Sequence, residues 1–128
     1  MIPENLRYYK EHEWARLEPG GLAVIGISQF AQEQLGDIVY VDLPKPGASF
    51  PQFAKFGEVE SVKAVNDLFL PLSGEVVAVN PKLVQAPELV NNDPYGEGWL
   101  VRIKLRHPAE ADALMTAGQY KDFLAQSH

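Results

Sequence analysis

Cysteine is absent from this 128-residue chain. That absence excludes disulfide frameworks, thiol nucleophiles, iron–sulfur clusters and cysteine zinc sites. Any redox chemistry is left to a cofactor or a covalent modification. Long apolar runs are absent too: none approaches the roughly eighteen residues that a membrane span needs. The N-terminus, Met1-Ile2-Pro3-Glu4-Asn5, has neither an apolar core segment nor an arginine-rich amphipathic pattern, so no signal or transit peptide is expected and the cytoplasm is the default compartment. Basic charge is scarce: 11 Lys and Arg stand against 17 Asp and Glu, a net charge of −6. Nucleic-acid binding needs a dense basic patch, which this chain lacks. The acidic balance suits partners with basic docking surfaces. His12, His107 and His128 lie far apart, in no metal-ligand spacing. Ser73-Gly74 has no nucleophile-elbow context, and no glycine loop fits a phosphate cradle.

What the chain does have is a core. Hydrophobic residues make up 46% and charged residues 22%, the composition of a globular protein of one domain. Ten Gly and ten Pro punctuate short segments, which reads as many strands joined by turns. Trp14 to Glu18 alternates, Pro19-Gly20-Gly21 turns, and Leu22 to Ile27 returns, a predicted hairpin. Ser28 is placed to cap a short helix through Phe30, Ala31 and Leu35, stopped by Gly36. Asp37 to Leu43 reads as a strand, as do Phe56 to Val62, Val65 to Leu70 and Glu75 to Val79. In Trp99 to Leu105 the residues Trp99, Val101, Ile103 and Leu105 share the predicted inner face, with Arg102 and Lys104 outward. Ala111, Leu114 and Met115 fit a short helix. Thr116 and Gln119 match a capping box ahead of a last helix with Tyr120, Phe123 and Leu124 on its apolar face. The expectation is one domain over residues 1–128, mostly β, with helices at the edges.

Lys63-Ala64 is the candidate two-residue turn between two of these strands. Val62 then faces Val65, Ser61 faces Asn66 and Glu60 faces Asp67, and directly opposed like charges disfavour a strand pair. A lone amine is left at the tip. On pattern alone it is either an ordinary exposed lysine or a lysine presented for covalent modification, with Glu60 and Asp67 as part of the recognition surface.

Glu60-Ser61-Val62-Lys63-Ala64-Val65-Asn66-Asp67, followed by Pro71-Leu72-Ser73-Gly74-Glu75-Val76, resembles the lipoylation hairpin of the glycine cleavage system H-protein family. The likeness runs on, in order, through His12-Glu13-Trp14, Gly26-Ile27-Ser28, Ala31-Gln32, Leu35-Gly36-Asp37-Ile38-Val39-Tyr40-Val41, Leu43-Pro44, Asn91, Pro94-Tyr95 and Gly98-Trp99. It covers nearly the whole chain. Biotin carriers present Met-Lys-Met where this chain has Val62-Lys63-Ala64, and lipoyl domains of the 2-oxo acid dehydrogenases lack the N-terminal block. Asn66 stands where the family often has Ser or Thr, and Phe69-Leu70 is more apolar than its usual pattern.

The resemblance implies a flattened antiparallel β-sandwich of the lipoyl/biotinyl kind, with short peripheral and C-terminal helices. It implies lipoate in amide linkage to Lys63 and a non-catalytic carrier. The implied partners are a pyridoxal-phosphate glycine decarboxylase, a tetrahydrofolate-dependent aminomethyltransferase, a flavin dihydrolipoyl dehydrogenase and a lipoate-attaching enzyme. No nucleic acid or membrane is among them, and a monomer is expected. A lipoyl relay supplying other lipoyl-dependent complexes uses the same scaffold, and an interaction module with an unmodified lysine is the remaining class. A lysine stem plus lipoate reaches roughly 14 Å at covalent bond dimensions. An aminomethyl cargo on that arm is a protonated amine open to hydrolysis, so its resting site needs carboxylates and apolar walls. Glu13, beside Trp14, is the leading candidate, followed by Glu11 and Asp67. Tyr95 and Trp99 read as packing residues.

Overall fold

Short β-rich segments between proline and glycine turns assemble into two antiparallel sheets. The computed structural model describes residues 2–127; Met1 and His128 lie outside them. The larger sheet contains β1 (Arg7–Tyr8), β2 (Glu13–Glu18), β3 (Leu22–Ile27), β5 (Ser49–Phe50), β8 (Gly74–Val79) and β9 (Val101–Leu105), in the order β1-β2-β3-β9-β8-β5. The smaller contains β4 (Ile38–Asp42), β6 (Lys55–Ser61) and β7 (Val65–Phe69), in the order β4-β6-β7. Ile25, Val76 and Ile103 of the larger sheet and Ile38, Val59 and Leu68 of the smaller lie in one buried cluster. The result is the flattened sandwich that the resemblance implied.

Alternation along the larger sheet sends the next residues the other way. Val24 and Trp14 join Tyr8, Leu6 and Tyr120 in a second cluster, covered by α3 (Ala117–Ser127). Trp14 Nε1 donates to Ile27 O (2.9 Å) and Pro94 O (3.1 Å). Gly26 is required there, because a Cβ on it would overlap the Trp14 ring. The capping box forms as expected: Thr116 N–H donates to Gln119 Oε1 (2.9 Å) and Gln119 N–H to Thr116 Oγ1 (3.3 Å). Helix α1 (Gln29–Leu35) starts where Ser28 Oγ accepts the Ala31 N–H, and ends at Gly36 with φ +79°. The short helix α2 (Leu89–Asn92) and two 3-10 turns, Pro81–Val84 and Pro108–Ala113, fill the rim. Among the described residues no helix is long and apolar enough to cross a membrane.

Four expectations need correction. The short helix expected over Ala111, Leu114 and Met115 is a 3-10 turn that ends at Ala113, with Leu114 extended and Met115 bridged to Tyr8. The hairpin turn lies one residue earlier than Lys63-Ala64. Glu60 pairs with Val65, Val59 with Asn66 and Glu58 with Asp67, so the turn spans Ser61–Ala64 with Val62 and Lys63 at its centre. Ser61 N–H donates to Ala64 O (2.9 Å), and Ser61 Oγ accepts the N–H groups of Lys63 and Ala64, each at 3.2 Å. A serine hydroxyl has thus taken over part of the turn's bonding. Trp99 does not share the inner face of β9. The strand begins at Val101, Leu100 fills the core, and Trp99 lies under Arg102 on the outer face, 5.6 Å from ring centroid to guanidinium carbon. Two-residue strands β1 and β5 were not expected.

Candidate functional site

Lys63 stands at the exposed tip of the β6–β7 hairpin. Its stem lies over Gly36: a Cβ built on that glycine would be 3.3 Å from Lys63 Cε. Asn91 braces this point. Its Nδ2 donates to Gly36 O (2.8 Å) and Gln32 Oε1 (3.0 Å), and its Oδ1 accepts the Ile38 N–H (2.8 Å). Between Gly36 and Ile38, Asp37 O accepts the Val62 N–H (3.1 Å). The tip is therefore docked on the end of α1 by backbone bonds, while the lysine side chain has no ion-pair partner among the described residues.

Behind the tip, α1 and the hairpin enclose a cleft of about 270 Å³. Phe30, Ala31, Gln34 and Leu35 form one side, Val59, Asn66, Asp67 and Leu68 the other, and Glu11, His12, Glu13 and Ile27 complete it. Asn66 and Asp67 follow Lys63 by three and four residues, at the start of β7. The three carboxylates expected at the resting site, Glu11, Glu13 and Asp67, all line this one cleft, and Glu60 does not. They are not equivalent. Glu13 is 1% exposed; its Oε2 accepts the Phe69 N–H (3.0 Å), and its Oε1 is buried without a hydrogen-bond partner among the described residues. Burial pushes its pKa from 4.5 to about 8, against the lowering pull of the Phe69 N–H and of its own backbone N–H, with Glu11 adding a smaller upward push. Glu11 is exposed. Asp67 is tied to Lys55, whose Nζ lies 3.1 Å from Asp67 Oδ1 and 2.7 Å from Glu58 Oε2.

Trp14 does not shelter Glu13. Neighbours in a strand point to opposite faces, so Trp14 fills the aromatic cluster behind the sheet. Ile27, Phe30, Leu35, Val59 and Leu68 supply the apolar walls instead.

Glu60 and Asp67 are not paired across the hairpin, since Glu58 stands opposite Asp67 and Val65 opposite Glu60. Both still belong to the outward face, where β4 adds Tyr40 beside Glu60 and Asp42 beside Glu58. Asn91 stood in the sequence only as one position of the family likeness, with nothing to show that it braces the turn after α1, and Lys55 had only the alternation of β6.

A family model described as the glycine cleavage H-protein matches residues 6–127. This chain belongs to the glycine cleavage H-protein family. The glycine cleavage system H protein of Symbiobacterium thermophilum is 53% identical over 95% of this chain and 94% of its own length. That of Magnetococcus marinus is 54% identical over 96% of this chain and 87% of its own. A crystal structure of the H protein from Mycobacterium marinum superposes with a TM-score of 0.84 at 37% identity, covering 98% of both chains. Membership of the H-protein family makes this chain a carrier component of the glycine cleavage system.

Proposed function

We propose that residues 1–128 act as one lipoyl-carrier domain, with lipoate in amide linkage to Lys63 Nζ, and that the chain is itself non-catalytic. The observation that carries this reading is the exposed Lys63 at the centre of the Ser61–Ala64 turn, in a chain of the H-protein family. Lipoate held by Lys63 would supply a redox-active dithiolane able to carry the aminomethyl group left when glycine loses carbon dioxide at the pyridoxal-phosphate decarboxylase; at the folate-dependent aminomethyltransferase the methylene would pass to tetrahydrofolate and the nitrogen leave as ammonia, and the flavin dihydrolipoyl dehydrogenase would reoxidise the dithiol. A cysteine-free chain suits this, because no protein thiol competes in exchange with the lipoyl sulfurs.

The residues around the tip fit such a group. Ser61 stiffens the turn without covering the amine. Glu60 and Asp67, on the outward face, mark the hairpin for the attaching enzyme. The cleft serves as the resting site for the protonated amine cargo. Glu13 Oε1, buried and without a hydrogen-bond partner among the described residues, is the acceptor for the ammonium as it enters the cleft, while the apolar walls exclude water. Glu11 and Asp67 assist from the rim.

The test is the intact mass of natively expressed protein with peptide mapping. One lipoyl adduct is expected, at Lys63, and none in Lys63→Ala or Lys63→Arg, because a guanidinium does not replace the acylated amine. An adduct that survives either change overturns the assignment.

A further inference from the structure

His12 forms part of the cleft wall, and its ring is held from outside the cleft. The residue closes a three-residue loop, Lys10-Glu11-His12, inside the Tyr9–Glu13 pair that joins β1 to β2. Tyr9 N–H donates to Glu13 O (2.9 Å) and His12 N–H to Tyr9 O (2.8 Å). The last residue of such a loop stands in the left-handed region, where glycine is favoured. Here it is His12, at φ +81°. A non-glycine residue in that conformation carries strain, which the surroundings of its side chain must offset. His12 Nδ1 lies 2.8 Å from the Tyr120 hydroxyl. Its ring is 4.8 Å from Phe30 of α1 and 6.2 Å from Phe123 of α3. The Tyr120 hydroxyl is also 2.7 Å from Ser28 Oγ, the cap of α1. One arrangement uses each hydroxyl proton: Ser28 donates to Tyr120, and Tyr120 donates to His12 Nδ1. Burial raises the pKa of the Tyr120 hydroxyl above the usual phenol range, which keeps its proton in place. The Tyr120 ring is itself fixed, fully buried and stacked on Tyr8 at 4.5 Å.

We propose that Tyr120 is a positioning residue for the cargo-bearing arm: through His12 it holds the cleft wall beside Glu13, so that α3 sets how well the cargo is sheltered. The inference rests on the reading of the cleft as the resting site. It assigns the C-terminal helix a part in the carrier cycle, although that helix supplies no side chain to the cleft lining.

Tyr120→Phe is the informative substitution, because it removes the hydroxyl and keeps the ring stack. In the unmodified chain it should move the ¹⁵N signals of the His12 imidazole. In the loaded protein, separated from the decarboxylase, it should speed loss of the cargo about threefold to tenfold, the range of one hydrogen bond, with lipoylation unchanged. His12→Gly places the favoured residue in the left-handed position and removes the ring, and should speed cargo loss at least as much. Adding Tyr120→Phe to His12→Gly should then change nothing further, since the two act as one unit. Additive effects would overturn the coupling through His12. Unchanged cargo loss in Tyr120→Phe, with Glu13→Gln accelerated, would overturn the inference and leave the resting site standing. Unchanged loss in Glu13→Gln would remove the resting site and this inference with it.

Discussion

The hairpin tip and the cleft lie on the two sides of the C-terminal turn of α1, and they treat charge in opposite ways. At the tip a cation is set out in solvent on a turn whose bonding is local: Ser61 with Lys63 and Ala64, and Asp37 with Val62. Lys63 could change without disturbing the sheet beneath it. In the cleft an acid is withdrawn from solvent, with one oxygen bonded to Phe69 N–H and the other unpartnered. Desolvating a carboxyl group without full compensation costs stability. A fold keeps such a group where an incoming cation completes it. The tip gives reach and the cleft gives retention, and the sequence separates these two tasks by fifty residues.

The largest expected effect belongs to the tip. Lys63→Ala should abolish the lipoyl adduct and all carrier activity. Thermal unfolding should shift by no more than about 0.5 kcal/mol, as at other exposed positions. A large loss of stability would make Lys63 a structural residue and end the contrast.

The cleft should behave differently. Glu13→Gln keeps an acceptor for the Phe69 N–H and leaves the tip untouched, so lipoylation and reoxidation by dihydrolipoyl dehydrogenase should be unchanged. A charge-assisted hydrogen bond contributes about 1.5–3 kcal/mol, and each ~1.4 kcal/mol is tenfold in rate. Loss of cargo from the loaded arm, followed as released ammonia or formaldehyde, should therefore speed by about tenfold or more. Because burial raises the Glu13 pKa to about 8, part of the attraction is spent on deprotonation below that pH. The difference between the two proteins should widen as pH rises toward it. Equal decay rates would reduce Glu13 to a buried acid with no cargo.

How far the two regions could be read from sequence follows the same division. The β2–β3 hairpin was plain because Pro19-Gly20-Gly21 announces it, with both glycines at positive φ. The helix cap at Ser28 and the capping box at Thr116 were equally local. The lysine turn was misplaced by one residue because neither Val62 nor Lys63 marks it. The determinant is the Ser61 hydroxyl, which competes with backbone bonding in a way a pattern does not expose. The cleft was legible only in its members. Glu11, Glu13 and Asp67 come from chain segments more than fifty residues apart, and a charged residue in a strand reads as outward until tertiary packing buries it. The same packing turned Trp14 away from Glu13 and placed Trp99 against the second, aromatic cluster rather than between the sheets.

Stability against pH gives a smaller effect that isolates the cleft. Glu13 has an ordinary value of 4.5, carried by the unfolded chain, and about 8 in the folded one. Between the two, the folded protein holds a proton that the unfolded chain has released. Its contribution is fully present below about pH 4.5 and is lost as pH rises through about 8. The slope approaches ~1.4 kcal/mol per pH unit for a single group. Urea unfolding across this window should show the fall in wild type and a flatter profile in Glu13→Gln. Parallel profiles would mean that Glu13 is ionised in the folded state despite its burial.

The smallest effect concerns Asp67, which belongs to both regions: it lines the cleft and stands on the outward face of the hairpin. There Asp42, Glu58 and Asp67 form one cross-strand row of three carboxylates, an arrangement that disfavours strand pairing unless a cation intervenes. Lys55 intervenes, touching Glu58 and Asp67 at once. These side chains are 38–49% exposed, so the bridge contributes little. Lys55→Met should lower Tm slightly at low ionic strength, and the difference should close toward 1 M salt, where screening acts over about 3 Å. Freed from Lys55, the Asp67 carboxylate gains attraction for a cation in the cleft. If Asp67 helps hold the cargo, Lys55→Met should slow its loss modestly while leaving lipoylation intact. If loss is unchanged and lipoylation alone responds, Asp67 serves the tip and its attaching enzyme, and retention falls to Glu13 with Glu11 at the rim.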